Sequence, residues 1–259
     1  MLKDFSVEEF DIIIQGGQSN SEGAGKGSAE FPYAADWETR DDIYYLNPDF
    51  TISAAGERVW GNSPIGDFSL AFSRRYAADN RLKNGRKLLV IRAAMGNTGF
   101  SDNRWGEGCD LYVRIGEMIE TALELNPSNR AVCFLWHQGE TDVLMDESGD
   151  DHYHNLLKLV NRIRMKAQNP DLPLITADFV QEWKNVTPAA IPIAEAVKKV
   201  CSNAGPAVYL DTTGLTSNNE AGFTGDNIHF SRQSLYLLGE RMYQAFASLE
   251  GKEETKENS

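Results

Sequence analysis

The chain reads as an α/β protein built on a parallel sheet of about five strands with helices on both faces. Three observations predict this. Short runs of β-branched and apolar residues alternate with stretches of helical periodicity from end to end, the pattern of repeated strand–helix–strand units. Several of the runs empty directly into glycine-containing polar turns. And 259 residues with 41% hydrophobic content are enough for a sizeable core in one α/β domain.

The first strand lies in Asp11–Asn20, DIIIQGGQSN. Three consecutive isoleucines read as a buried strand. Gly16 and Gly17 let the backbone bend sharply before the polar triplet Gln18, Ser19 and Asn20. Residues 21–67 have little periodicity but carry Tyr33, Trp37, Tyr44, Tyr45 and Trp60. So long a loop usually lines a pocket or holds short elements of its own, and TISAAGERVW within it is expected to form a short hairpin.

Phe68, Phe72 and Tyr76 predict a helix over residues 64–80. Lys87–Ala94 is the second strand and opens into Met95–Gly99. Leu111, Ile115, Met118, Ile119 and Ala122 mark a helix over residues 110–125, which Pro127 stops. Arg130–Trp136 is the third strand, running into His137–Asp142. A helix over residues 152–168, a strand at Leu172–Asp178, and a helix over 188–203 that is kinked near Pro192 follow. Ala207–Leu210 is a fifth, short strand. A polar turn region leads to a last helix over residues 231–249 with Ser231 as N-cap. Residues 1–250 thus form a single domain, and the polar residues 251–259 read as a disordered tail.

Composition excludes several classes. Lys and Arg total 25 against 38 Asp and Glu, a net charge of −13. Nucleic acid and anionic membrane surfaces attract clustered positive charge, so neither is expected as a partner. Cys109, Cys133 and Cys201 form neither a disulfide framework nor a CxxC metal pair. The first ten residues lack the basic and apolar regions of a secretory signal, and no apolar run approaches the ~20 residues of a membrane span. A cytoplasmic protein is the expectation.

In a parallel sheet the strand C-termini share one edge, where ligands bind. Ser19, Gly96 and the Gln138–Asp142 loop all follow strands, so all fall on that edge. Ser19 is the candidate nucleophile, with a structural turn as the alternative reading of its stretch alone. A serine needs a base within hydrogen-bond reach and the base needs an orienting group. The chain has four histidines, His137, His152, His154 and His229. His229 follows Asp226 by three residues, so one imidazole nitrogen can take the carboxylate while the other faces Ser19. A capping Asp beside a half-exposed His is the alternative. His152 and His154 read as solvated, with no third ligand to make them a metal site. Candidate oxyanion donors are the Ser19 N–H, the Gly96 N–H and the Gln138 amide. Trp105 and the aromatic loop could stack on a ligand ring, Arg58, Arg92 or Arg104 could meet a carboxylate, and Asn20 is a further candidate substrate contact.

GQSN at residues 17–20, HQGETD at 137–142 and DNIHF at 226–230, in this order, resemble the SGNH (GDSL-type) hydrolase superfamily. The resemblance covers about residues 12–249 and is closest to its carbohydrate-esterase branch, the sialate O-acetylesterase and acetylxylan esterase group. It implies a flavodoxin-like three-layer αβα sandwich and a metal-independent serine esterase with no cofactor, acting on an O-acetylated sugar or oligosaccharide. Position by position, it implies Ser19 as nucleophile, Asp226 and His229 as the acid–base pair, and Gly96 and Gln138 as oxyanion donors. It also implies Glu140 as a support for the histidine; the residues themselves equally allow Glu140 to hold its own loop. MGNTGF departs from the branch's usual second block, which leaves Gly96 and Gly99 as alternatives. A lipase- or thioesterase-like acyl hydrolase and a carbohydrate-binding relative without activity are the competing functional readings.

Overall fold

The computed structural model describes residues 4–30, 40–60 and 63–257. Strand β1 (Phe10–Gly17) runs into a single helical turn, α1 (Ser19–Glu22). Four short strands follow: β2 (Ile43–Leu46), β3 (Ile52–Ala54), β4 (Arg58–Trp60) and β5 (Ser63–Ile65). Then come α2 (Phe68–Ala78), β6 (Lys87–Arg92), α3 (Asp110–Glu124), β7 (Arg130–His137), α4 (Glu140–Leu144) and α5 (Gly149–Lys166). The chain closes with β8 (Leu174–Ala177), α6 (Gln181–Val186), α7 (Ala190–Asn203), β9 (Ala207–Leu210) and α8 (Arg232–Glu257).

Among the described residues seven strands, rather than about five, form the central sheet, in the order β3-β2-β6-β1-β7-β8-β9. All neighbours are parallel except β3, which runs antiparallel to β2. The five strands expected from sequence are its contiguous part β6-β1-β7-β8-β9. Numbered among themselves they run 2-1-3-4-5, the flavodoxin-like order. The two added strands, β2 and β3, come from the stretch without periodicity. The expected hairpin in TISAAGERVW does not form. Its halves pair elsewhere, β3 with β2 and β4 with β5.

Alternation along β1 shows why the fold has three layers. Ile12 and Ile14 point into a core formed with Ile115, Met118 and Ile119 of α3 and Leu156 and Leu159 of α5. Ile13 points the opposite way, into a core with Phe68 and Phe72 of α2 and Leu235, Leu238 and Phe246 of α8. A strand buried on both faces reads as an unbroken apolar run, and each such side chain contributes about 1.5–3 kcal/mol by leaving water.

Several boundaries differ from expectation. Helix α2 starts at Phe68, not residue 64, because Pro64 pairs with Val59 in β5 and Asp67 caps the helix by accepting from the Ser69 and Leu70 N–H groups. Pro192 does not kink α7. It lies in the helix's first turn, where an N–H has no intrahelical partner to lose. Ser231 does cap the last helix, its Oγ accepting from Ser234 N–H at 3.2 Å. That helix continues to Glu257, through much of the stretch whose composition reads as a disordered tail. Among the described residues, no helix is long and apolar enough to cross a membrane.

Candidate active site

At the end of β1 the chain must pass very close to β7. Gly17 has φ +124°, and a Cβ there would lie 2.1 Å from the His137 carbonyl oxygen. Only glycine meets both demands. The next residue, Gln18, donates its N–H to that same carbonyl at 3.0 Å. The turn leaves Ser19 as the first residue of α1, half-buried at the wall of a cavity of about 780 Å3. His229, Gly96, Lys26 and Ile228 also border this cavity.

The structure brings Ser19, His229 and Asp226 into one hydrogen-bonded line. Ser19 Oγ lies 2.9 Å from His229 Nε2, and His229 Nδ1 lies 2.6 Å from Asp226 Oδ1. The second oxygen of Asp226 accepts from Lys26 Nζ and from Asn218 Nδ2, each at 2.9 Å. Burial pushes the Asp226 carboxyl upward, but hydrogen bonds from Lys26 and Asn218 and the neighbouring His229 outweigh it, so it is held below the usual carboxylate range.

Asn20, expected as a substrate contact, is fully buried and does something else. Its Oδ1 accepts from Phe230 N–H at 3.0 Å, and its Nδ2 donates to the Ile228 carbonyl at 3.1 Å. These are the two neighbours of His229, so Asn20 pins the histidine's loop to the serine's turn. Its Nδ2 also donates to Glu140 Oε1 at 2.7 Å. Glu140 therefore reaches His229 indirectly, through Asn20. His137 lies beside it, its Nδ1 3.5 Å from Glu140 Oε1 and its Nε2 3.1 Å from the Asp178 carbonyl.

Of the two glycines left open by sequence, Gly96 is the one beside the serine. A Cβ on it would be 3.6 Å from Ser19 Cβ, whereas one on Gly99 would collide with Asp142 Oδ1. The Gly96 N–H donates to Glu22 Oε2 at 2.7 Å. Gln138 is not brought to the cavity wall. Its side chain is buried and its Nε2 donates to Asp142 Oδ2 at 2.9 Å. Asp142 is the organiser that the sequence leaves unassigned. Its Oδ1 accepts from Phe100 N–H, Ser101 N–H and Ser101 Oγ, and His152 Nδ1 lies 3.0 Å from its Oδ2. Burial opposes its charge, but the hydrogen bond and charge interaction with His152 and the Ser101 donors hold its carboxyl low. His152 is accordingly buried, not solvated; His154 is the exposed member of that pair. Nothing in the spacing of HQGETD marks Asp142 for this, because its partners lie some 10 and 40 residues away.

Trp105 is also corrected. It is fully buried, edge-on to Trp136 with ring centroids 5.1 Å apart, and its Nε1 donates to Thr98 Oγ1. Arg58 does border the cavity, paired with Glu22 at 3.0 Å. Arg92 is buried against Asp67 at 3.5 Å, and Arg104 pairs with Asp110 at 2.8 Å. Tyr44 and Tyr45 are buried in β2. Trp37 and the side chain of Trp60 lie outside the described residues.

The doubly wound sheet thus carries Ser19, His229 and Asp226 together at its C-terminal edge. A family model, "Carbohydrate esterase, sialic acid-specific acetylesterase", matches residues 9–248. The chain belongs to that carbohydrate esterase family, whose members are hydrolases acting on esters. It is 25% identical over 173 residues to "Probable carbohydrate esterase" of Arabidopsis thaliana, a match spanning 66% of this chain and 60% of that relative. The fold is similar to the crystal structure of NanS, with a TM-score of 0.76 at 17% identity over 95% of this chain and 98% of that one. It is also similar to XAC1771, a carbohydrate acetylesterase from Xanthomonas citri, with a TM-score of 0.63 at 14% identity over 91% of this chain and 55% of that one.

Proposed function

We propose that this protein removes acetyl groups from an O-acetylated carbohydrate, of xylan or sialic-acid type, by an acyl-enzyme mechanism. The observation that carries this reading is the line from Ser19 Oγ through His229 to Asp226, with spacings of 2.9 and 2.6 Å, at the wall of an open cavity. His229 Nε2 takes the Ser19 proton as Oγ attacks the acetyl carbonyl carbon. Asp226 keeps the imidazole in the tautomer that can accept that proton and stabilises the imidazolium that results. The negative charge that develops on the carbonyl oxygen goes to the N–H groups of Ser19 and Gly96. For this the Glu22 carboxylate yields its place on Gly96. The tetrahedral intermediate collapses, the sugar oxygen leaves with the proton from His229, and Ser19 carries the acetyl group. Water then attacks, giving its proton to His229, and acetate is released. Gln138, expected as a third donor, here braces Asp142 and so the loop that carries Gly96.

A longer-chain acyl hydrolase is the second reading, favoured by Ile65, Met95, Leu144 and Ile228 on the same cavity wall. A fluorophosphonate probe tests the shared chemistry. It should label Ser19, and a folded protein left unlabelled would favour a binding protein without activity. A series of p-nitrophenyl esters then separates the two enzymes. Acetate should be turned over fastest, and a preference for chains longer than butyrate would favour the acyl hydrolase.

A further inference from the structure

A second cavity, of about 450 Å3, adjoins the serine cavity and shares Glu22 and Arg58 with it. The strands that extend the sheet beyond five build much of it: Tyr45 comes from β2, and Ser53 and Ala54 from β3, while Gln15 of β1 and Arg92 of β6 also border it. The extension therefore adds a pocket beside the candidate nucleophile rather than simply lengthening the sheet.

The chemistry of its lining is specific. Four charged side chains border it, two acids and two arginines, and each already has a partner. Glu22 holds Arg58 at 3.0 Å, Arg92 lies 3.5 Å from Asp67, and Glu57 is gripped by both ends of the Arg232 guanidinium at 2.8 and 2.9 Å. A ligand carboxylate would have to take an arginine from its existing partner. An uncharged ligand rich in hydroxyls would not. Gln15 supplies the second observation. It is fully buried, its Nε2 donates to the Ser21 carbonyl, and its Oε1 has no hydrogen-bond partner among the described residues. A buried acceptor without a donor is costly, so a ligand hydroxyl that reaches it would be favoured.

We propose that this cavity is a subsite for a neutral sugar unit joined to the acetylated one, so that the substrate is at least a disaccharide. The proposal rests on the esterase reading above. Ser53 is exposed on edge strand β3 and shares a sheet face with Tyr45, Arg92 and Gln15, so a larger side chain there fills the cavity without entering the core. In Ser53→Trp and Ser53→Phe, the ratio of kcat/KM for acetylated xylotriose to kcat/KM for p-nitrophenyl acetate should fall about tenfold through KM, equivalent to ~1.4 kcal/mol of lost binding. The corresponding ratio for an acetylated monosaccharide should not change. Equal ratios for the two sugars in both variants would overturn the subsite and leave the esterase reading intact.

A measurement without turnover separates the two failures. Calorimetric titration of the Ser19→Ala protein with xylobiose, cellobiose and lactose should show binding of at least one, weakened about tenfold when Ser53→Trp is added. This arm stands even if the wild type fails to hydrolyse any acetate, which would sink the esterase reading alone. Binding of none of the three, or Ser53-dependent binding of sialic acid in place of them, overturns the neutral-sugar assignment.

Discussion

At the N-terminal end of β1, Asp11 is fully buried and both of its oxygens are occupied. Oδ1 accepts from Arg86 Nε at 2.8 Å and Arg130 Nε at 2.7 Å, and Oδ2 accepts from the Tyr76 hydroxyl at 2.8 Å. At the C-terminal end of the same strand, Gln15, His137, Gln138 and Glu140 each keep one buried polar atom with no hydrogen-bond partner among the described residues. There the Gly96 N–H donates to the Glu22 carboxylate at the cavity wall. One end spends all of its polar capacity on itself, and the other holds some in reserve. Buried polar groups are ordinarily satisfied, and a site kept open for a ligand is one place where exceptions are expected. One strand eight residues long thus joins a clamp to a site.

The sharpest separation of the two ends should come from Ser19→Ala. Hydrolysis of p-nitrophenyl acetate should fall by at least about 10⁴-fold with the unfolding midpoint unchanged. Wild-type-like turnover would remove Ser19 from the chemistry. Asp11→Asn should do the reverse. Leaving Arg86 beside a neutral amide should cost about 3 kcal/mol in urea unfolding, while kcat at low temperature stays near wild type. A large loss of kcat in the folded variant would erase the division between clamp and site.

Asn20→Ala should fall between these two. Without its bonds to Ile228 and Phe230 the histidine's loop is no longer tied to the serine, and a displacement of ~1 Å costs about 10²-fold in kcat. An effect confined to KM would return Asn20 to the role of substrate contact.

The smallest effect concerns acid. Asp11, Asp142 and Asp226 all have carboxyl groups held low in the folded protein. For Asp11, burial pushes upward, but hydrogen bonds from Arg130, Tyr76 and Arg86 outweigh it. A depressed carboxyl contributes stability that is present above its unfolded value, about 3.9 for Asp, and is lost as pH falls through its folded value. Stability should therefore decline below about pH 4, and less steeply in Asp11→Asn than in the wild type. Urea midpoints across that range would measure it, and equal slopes would show that Asp11 is not part of the acid response.

The strand that joins the two ends, and part of the candidate site, are readable in the sequence, whereas the clamp is not. The β-branched run Ile12–Ile14 announces β1, and glycine turns after β1 and β6 announce the sheet edge. The three-residue spacing of Asp226 and His229 is local, so it could be read directly. Asp142 could not. Its bonds to Ser101 and His152 join the loop after β6 to helices α4 and α5, and no periodicity records them. Trp105 and Asn20 were misassigned for a related reason. An aromatic or an amide in a loop looks the same in sequence whether it faces solvent or the core. The strands β2 and β3 escaped because four and three residues are too few to display alternation.

The sequence by itself determined the alternation of strands and helices, the sign of the charge, and the candidates proposed for acyl-transfer chemistry. These depend on local backbone preference and side-chain type. Only the tertiary structure decided that the sheet extends to seven strands, and that Asn20 and Asp142 brace the candidate site while the Gln138 amide is buried against Asp142. It also decided that a second cavity lies beside the first. Those outcomes depend on contacts between residues far apart in the chain, whose geometry exists only once the layers have packed.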